Sequence, residues 1–316
     1  MERRLGLFFS SLALLSGCAS RSAGPGAPAE LAAPPVPGDP VVTLLEPGAE
    51  PRAPLRYRVR AGEKVGLLLD MDMGMKITIG GQSAPAVKTP PARMTMAIET
   101  LDVAPDGTTR LVSKLNAVDV LARPDDRPEV VASVKQSMAG LVGLTTEMSL
   151  TSRGFARDVK VNVPAGLRPE MQTTLRAMRN ATQQAAAIFP LEPVGVGARW
   201  RVESTIDTGQ LKLGQTAVVT LDRREANRVF LTMTIAQTAP PQPINSPDLP
   251  AGTSVSLERY AGTGEGQMNL QLDSRTLNGR ISLNVDVVTA VVQNENRGNI
   301  GVGMDMLMTF SPGPAP

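Results

Sequence analysis

The sequence predicts a mainly β domain, a large curved antiparallel sheet or half-barrel built from two repeated β-meanders, with one long and one short helix. Three observations lead there. Apolar and polar residues alternate at period two through much of residues 55–311. Only two segments have the three-and-four spacing of an amphipathic helix. The chain also echoes itself at an offset of about 120 residues.

Taken from the N-terminus, residues 1–17 have the make-up of an export signal: Arg3 and Arg4, an apolar run Leu5–Leu15, then the small residues Ser16 and Gly17. The run is shorter than the roughly 20 residues a spanning helix needs, and every later apolar segment is interrupted by charge, Pro or Gly. Cys18 follows. It is the one cysteine of the chain, so no internal disulfide can form. Leu15-Ser16-Gly17-Cys18 resembles the lipobox of bacterial lipoproteins. That resemblance implies cleavage before Cys18 and acyl chains, palmitate among them, on its new N-terminus, each buried methylene contributing about 0.8 kcal/mol of anchoring. In that family an Asp after the cysteine goes with retention at the inner membrane. Ala19 stands there instead, which by resemblance implies the outer membrane, with the protein facing the periplasm.

Residues 20–54 are mostly Ala, Gly, Pro and small polar side chains, with Pro25, Pro28, Pro34, Pro35, Pro37, Pro40, Pro47, Pro51 and Pro54 among them, and the expected tether is 18–54. Too little apolar surface is available there to offset the entropy of ordering, so a tether is expected; for Val41–Leu45 a short strand is the other reading, with linker favoured. Residues 312–316 read as a tail of the same kind.

The β domain is expected over 55–311. Leu69 to Ile79 is apolar at every odd position and polar or Gly at the even ones, the pattern of a strand with one face packed and one in water. The same alternation recurs in Met94–Glu99, Leu231–Ile235, Met268–Leu272, Ile281–Val287 and Met304–Phe310. Pro105-Asp106-Gly107 and Asn278-Gly279 read as hairpin turns, and Gly262, Gly264 and Gly266 as a glycine-rich turn. A short helix is expected over 128–141, with Val130, Val131, Val134, Met138 and Leu141 on one side. The long helix is expected over 168–189, from Met171, Leu175, Met178, Ala185, Ile188 and Phe189, with Pro190 beyond its end.

The echo pairs Thr100-Leu101-Asp102 with Thr220-Leu221-Asp222, and Ser152-Arg153 with Ser274-Arg275. Arg56-Tyr57-Arg58-Val59 and Arg199-Trp200-Arg201-Val202 are the matching openings. Repeat one is thus 55–163, the linking helix 168–189 and repeat two 199–292, with a final strand 299–311. Chance similarity between strands is the other reading of these echoes.

Composition narrows the chemistry. The chain has no histidine, which takes away the commonest general base and metal ligand. With 32 basic against 30 acidic residues and 3% aromatics, nothing points to nucleic acid. No catalytic residue, cofactor or metal site is assigned. Asp70 and Asp72 read as a solvated strand face. The feature that stands out is methionine: Met71, Met73 and Met75 on one strand, Met94 and Met96 on another, Met304, Met306 and Met308 on a third. Three readings compete for it: a plain hydrophobic core, an adaptable apolar groove for an acyl chain, and a soft copper(I) site.

Phe189-Pro190-Leu191-Glu192-Pro193-Val194-Gly195-Val196-Gly197-Ala198-Arg199-Trp200 is the most distinctive segment, expected to be a structural clasp around a buried Trp200. It resembles a helix-to-strand junction of uncharacterised exported bacterial proteins, among them predicted lipoproteins with a domain of unknown function. That resemblance implies an all-β envelope domain and carries no catalytic residues. The architecture is also similar to the half-barrels of periplasmic carriers of lipoproteins and lipids. The expectation is a non-enzymatic, outer-membrane-anchored lipoprotein whose β domain binds a lipid, another hydrophobic ligand or an envelope protein. A purely structural or assembly lipoprotein with a filled core is the alternative, and an enzyme of unusual carboxylate or serine chemistry a third reading.

Overall fold

The alternating segments form strands in the computed structural model, which describes residues 38–162, 187–208, 210–244, 252–293 and 296–314. The strands are β1 (Val41–Glu46), β2 (Lys64–Ile79), β3 (Gln82–Ser83), β4 (Val87–Lys88), β5 (Ala92–Val103), β6 (Thr109–Val120), β7 (Thr145–Leu150) and β8 (Ala156–Asn162). They continue as β9 (Arg199–Asp207), β10 (Lys212–Glu225), β11 (Arg228–Ala239), β12 (Gln242–Ile244), β13 (Thr253–Gln271), β14 (Leu277–Gln293) and β15 (Asn296–Pro312). One helix, α1 (Pro128–Ala139), is present among the described residues.

All the strands join one antiparallel sheet, ordered β1-β9-β10-β11-β13-β14-β15-β2-β5-β6-β7-β8, with β12 beside β13 and β3 and β4 beside β2. Two runs of sequence neighbours are visible in that order. They meet where β15 pairs with β2, from Ile300 opposite Ile79 to Pro312 opposite Leu67. Strands β1 and β8 end the path and share no ladder, so the sheet is not closed into a barrel. A half-buried ion pair nevertheless connects those two edges, Arg157 on β8 donating to Asp39 just before β1 at 2.6 Å.

Several local expectations are corrected. Val41–Glu46 is not tether but the edge strand β1, because Val42 and Leu44 pack against the main core and the strand pairs with β9. The chain that follows is fixed too: Gly195 donates to the Pro47 carbonyl at 2.9 Å and Ala49 to the Val196 carbonyl at 2.8 Å. The folded part therefore begins before residue 55. At the other terminus Pro312 closes β15 and Gly313 donates to the Gly66 carbonyl at 2.9 Å, so 312–314 is not a loose tail.

Gly262, Gly264 and Gly266 form no turn; they lie in the middle of β13, on the face that packs. Asn278 and Gly279 lie inside β14, and the hairpin falls earlier, at Asp273–Thr276. Glycine is required at 279 because a Cβ would sit 2.3 Å from the Gln267 carbonyl oxygen. The Pro105-Asp106-Gly107 turn is present, with Gly107 at φ 78° and the Asp106 carboxylate accepting from Thr108 N at 2.9 Å.

Helix α1 begins at Pro128, where a missing N–H costs nothing, and has Glu129 in its first turn. Its residues Val131, Val134 and Met138 are half-buried and none is fully buried. Leu141 just beyond it joins Leu115 and Leu144 in a small core. The long helix falls mostly on residues outside those described; Ala187–Phe189, its expected last turn, is not helical.

The internal echo meets the sheet unevenly. Thr100–Asp102 lies near the end of β5 and Thr220–Asp222 in the last part of β10, and each strand has a register shift there. Yet Leu101 is 40% exposed and Leu221 fully buried, so the matched residues do not face the same way.

Candidate functional site

The main core gathers at one end of the sheet around Trp200, Phe189, Leu55 and Tyr57, with Leu221, Leu231, Leu270 and Leu272. Phe189 packs edge-on to Trp200, their ring centroids 6.5 Å apart. Buried chain without regular structure must find partners for its carbonyls, since an unpaired one costs about 1–3 kcal/mol. Here side chains supply them for five residues in succession. Tyr57 Oη donates to Ala187 O at 3.2 Å and Trp200 Nε1 to Ile188 O at 2.9 Å. Arg153 Nε donates to Phe189 O at 3.0 Å, and Arg56 donates through Nη1 to Pro190 O at 3.0 Å and through Nη2 to Leu191 O at 2.9 Å. The expected clasp is thus a rack of carbonyls held by donors from β9, the approach to β2 and the β7–β8 turn. Burial pushes the Tyr57 phenol well above its ordinary pKa, so it remains a donor.

Directly opposite residues of antiparallel strands point to one face, so the register defines rows across the sheet. The row level with the core runs Leu44, Trp200, Val219, Met233, Gly266, Ile281, Met308, Met71, Ala92. Next toward the far end come Val202, Ala217, Ile235, Gly264, Leu283, Met306 and Met73. The third row is Ser204, Gln215, Gln237, Gly262, Val285, Met304, Met75 and Val87. The methionines of β2 and β15 are therefore direct cross-strand partners, Met71 with Met308, Met73 with Met306 and Met75 with Met304. Successive pairs are about 7 Å apart along the strands, which makes a rail rather than a convergent cage. Met94 and Met96 face the same way from β5, opposite Leu69 and Leu67, and pack against the small Leu115 core.

None of these eight side chains is fully buried. Exposure rises along the rail, with Met71 and Met73 half-buried, Met75 41% exposed, Val87 beside it 56% and Ile79 at the strand end 64% exposed. On the β11–β14 wall the packing is tighter. A Cβ at Gly266 would lie 2.7 Å from Met233 Cγ, and one at Gly264 would lie 2.6 Å from the Ser282 carbonyl oxygen. The three alternating glycines let neighbouring side chains lie over β13, a role that the sequence pattern of small residues at period two announces once the strand is recognised.

Sequence reasoning missed the polar part of this face. Tyr260 Oη donates to Gln237 Oε1 at 2.9 Å, and Gln237 Nε2 donates to Gln215 Oε1 at 2.7 Å. Gln237 is 7% exposed. Burial raises the Tyr260 pKa. The outer face is also less simply solvated than expected: Arg93 forks onto both Asp70 oxygens at 2.6 Å and Arg123 holds Asp72 at 2.5 Å. Cys18 lies outside the described residues. Among those described, no group of three or more Cys, Asp or Glu side chains is placed to hold a metal ion, and no helix is long and apolar enough to cross a membrane.

No protein-family model matches the chain, and no curated protein matches it. Among solved structures, the crystal structure of Pseudomonas aeruginosa OccK11 (OpdR) aligns with 82% of this chain and 100% of its own, at 9% identity and a TM-score of 0.21. A likeness of that size carries no argument about what this chain does.

Proposed function

We propose that the chain is a lipoprotein anchored in the outer membrane through Cys18, whose β domain, facing the periplasm, binds an acyl chain or other apolar ligand without catalysing a reaction. The observation that carries this reading is the paired methionine rail on the inner face. Thioether side chains are long, unbranched and polarisable, so they repack around varied apolar shapes where Leu or Ile would fix one. Their partial exposure, rising toward Met75 and Val87, supports a surface left for a ligand rather than a filled interior. The anchor rests on the lipobox, and the outer membrane on Ala19 by resemblance.

The test of binding is made on the mature chain from residue 18 carrying Cys18→Ala and produced without its export signal. Solvent extraction of the purified protein is expected to release lipid in a near-stoichiometric amount, and N-phenyl-1-naphthylamine to gain fluorescence on binding. A lipid-free extract and no dye binding refute it. For the anchor, palmitate incorporation into the native precursor is expected and should be lost in Cys18→Ala; density fractionation of the envelope then tests the outer-membrane location. A second reading, an assembly lipoprotein with a filled core and no ligand, is favoured by the crowding of Met233 and Ser282 over the β13 glycines. The same extraction separates the two.

A further inference from the structure

Resting on the groove reading above, we infer that the relay Tyr260–Gln237–Gln215 receives the hydroxyl head of an uncharged single-chain lipid, a fatty alcohol, whose tail lies along the methionine rail. Three amide and phenol groups linked at 2.9 and 2.7 Å stand, with Ser204 beside them, on a face that is mostly apolar. Gln237 is buried and Gln215 and Tyr260 are half-buried; a polar network so placed is costly unless satisfied, and a core without a ligand is more simply built with Leu or Val at these positions. Gln237 shares its row with Met304 and Met75, three strand spacings from β15, or about 14 Å along the sheet. A ligand spanning that distance has a polar end on β10–β13 and an apolar remainder across β14, β15 and β2.

The rows also specify the charge of the head. The second and third rows hold no ionisable side chain, and the next row outward, Ala239, Tyr260, Val287, Val302 and Ile77, holds Tyr260 alone. Because burial raises its pKa, Tyr260 stays a neutral donor and acceptor at ordinary pH. A carboxylate or quaternary ammonium head would find no counter-charge on these rows and would lose part of its hydration against them. A hydroxyl matches the relay, since it donates and accepts as Tyr260 and the two amides do.

Displacement of N-phenyl-1-naphthylamine from the Cys18→Ala mature chain by 1-hexadecanol, by palmitate at pH 8 and by hexadecyltrimethylammonium tests this. Hexadecanol is expected to bind at least about tenfold more tightly than either charged probe. Tyr260→Phe and Gln237→Leu should each weaken hexadecanol about fivefold, the size of one lost buried hydrogen bond, and narrow the gap to the charged probes. Dye bound and displaced equally by all three, or a head-group preference unchanged in both variants, overturns this inference alone. Failure of the wild-type chain to bind dye or any probe overturns it together with the groove reading. Trp200 emission and the far-ultraviolet spectrum establish that each variant has folded.

Discussion

Replacing Arg56 by Met tests whether the carbonyl rack holds the domain together. Arg56 is 6% exposed and its guanidinium donates to Leu55 O at 2.8 Å, Pro190 O at 3.0 Å and Leu191 O at 2.9 Å. Methionine keeps the length of the apolar stem and removes every donor. Two long-range carbonyls, Pro190 O and Leu191 O, then lose partners inside the fold, at about 1–3 kcal/mol each. Part of that loss is offset because no guanidinium has to leave water. A net destabilisation of about 2–4 kcal/mol follows. Trp200, the chain's one tryptophan and fully buried beside the rack, reports unfolding in urea. With a denaturant slope of about 2 kcal/mol per molar, the midpoint should fall by about 1–2 M at unchanged slope. Arg56→Lys should fall between, because one ammonium cannot fork onto both carbonyls. The control Arg60→Met, at an exposed site, should shift stability by less than about 0.5 kcal/mol. An Arg56→Met midpoint indistinguishable from this control would refute the claim that these carbonyls depend on side-chain donors.

The β13–β14 wall makes a paired prediction: Gly279→Ala, whose Cβ would meet the Gln267 carbonyl oxygen at 2.3 Å, should cost about 2–4 kcal/mol in urea unfolding, whereas Gly298→Ala, with nothing within 4 Å, should be neutral or stabilising by up to about 1 kcal/mol. At the open seam, Asp39→Asn should destabilise by about 1–3 kcal/mol, because Arg157, which donates to it at 2.6 Å, is left half-buried without its counter-charge. A chain starting at residue 51 should lose more, since it also lacks β1 and the Val42 and Leu44 contacts; thermal melts of both compare the two losses. Tyr57 predicts an alkaline limit. Its folded pKa is raised above the unfolded value near 10, so the folded state keeps a proton that the unfolded chain has released. Stability should therefore be level below about pH 10 and fall above it by about 1.4 kcal/mol per pH unit. Tyr57→Phe should remove its share of that slope, leaving the share from Tyr260, whose pKa burial also raises, while losing the bond to Ala187 O.

Much of the sheet was legible because a strand with one packed face must alternate, and the alternation of Leu69–Ile79, Ile281–Val287 and Met304–Phe310 survives in β2, β14 and β15. The short helix was legible from Pro128 and the Val131, Val134, Met138 stripe. Misreadings cluster at glycine and proline. Gly262, Gly264 and Gly266 looked like a turn because glycine permits one, and on this strand it serves close approach instead. Asn278-Gly279 fits a two-residue hairpin equally well in isolation, and only the pairing of Leu270 with Leu277 moves the turn to Asp273–Thr276. Val41–Glu46 sits among prolines and glycines, and became a strand only because β9 offers it an edge and Trp200 a surface.

Residue pattern by itself determined that this is a mainly β chain, which side chains share the inward face, and that methionine dominates three of its strands. Those are properties of single segments, fixed by period and side-chain chemistry. Which segments become neighbours was decided by tertiary structure alone. The pairing of β15 with β2 turns two separate methionine stripes into one rail, and the pairing of β10, β11 and β13 brings Gln215, Gln237 and Tyr260 into one relay. Likewise the donors of the carbonyl rack come from residues more than a hundred positions from some of their acceptors, as with Arg56 and Pro190. Contacts of that range depend on how the whole sheet buries its surface at once, and no local pattern encodes them.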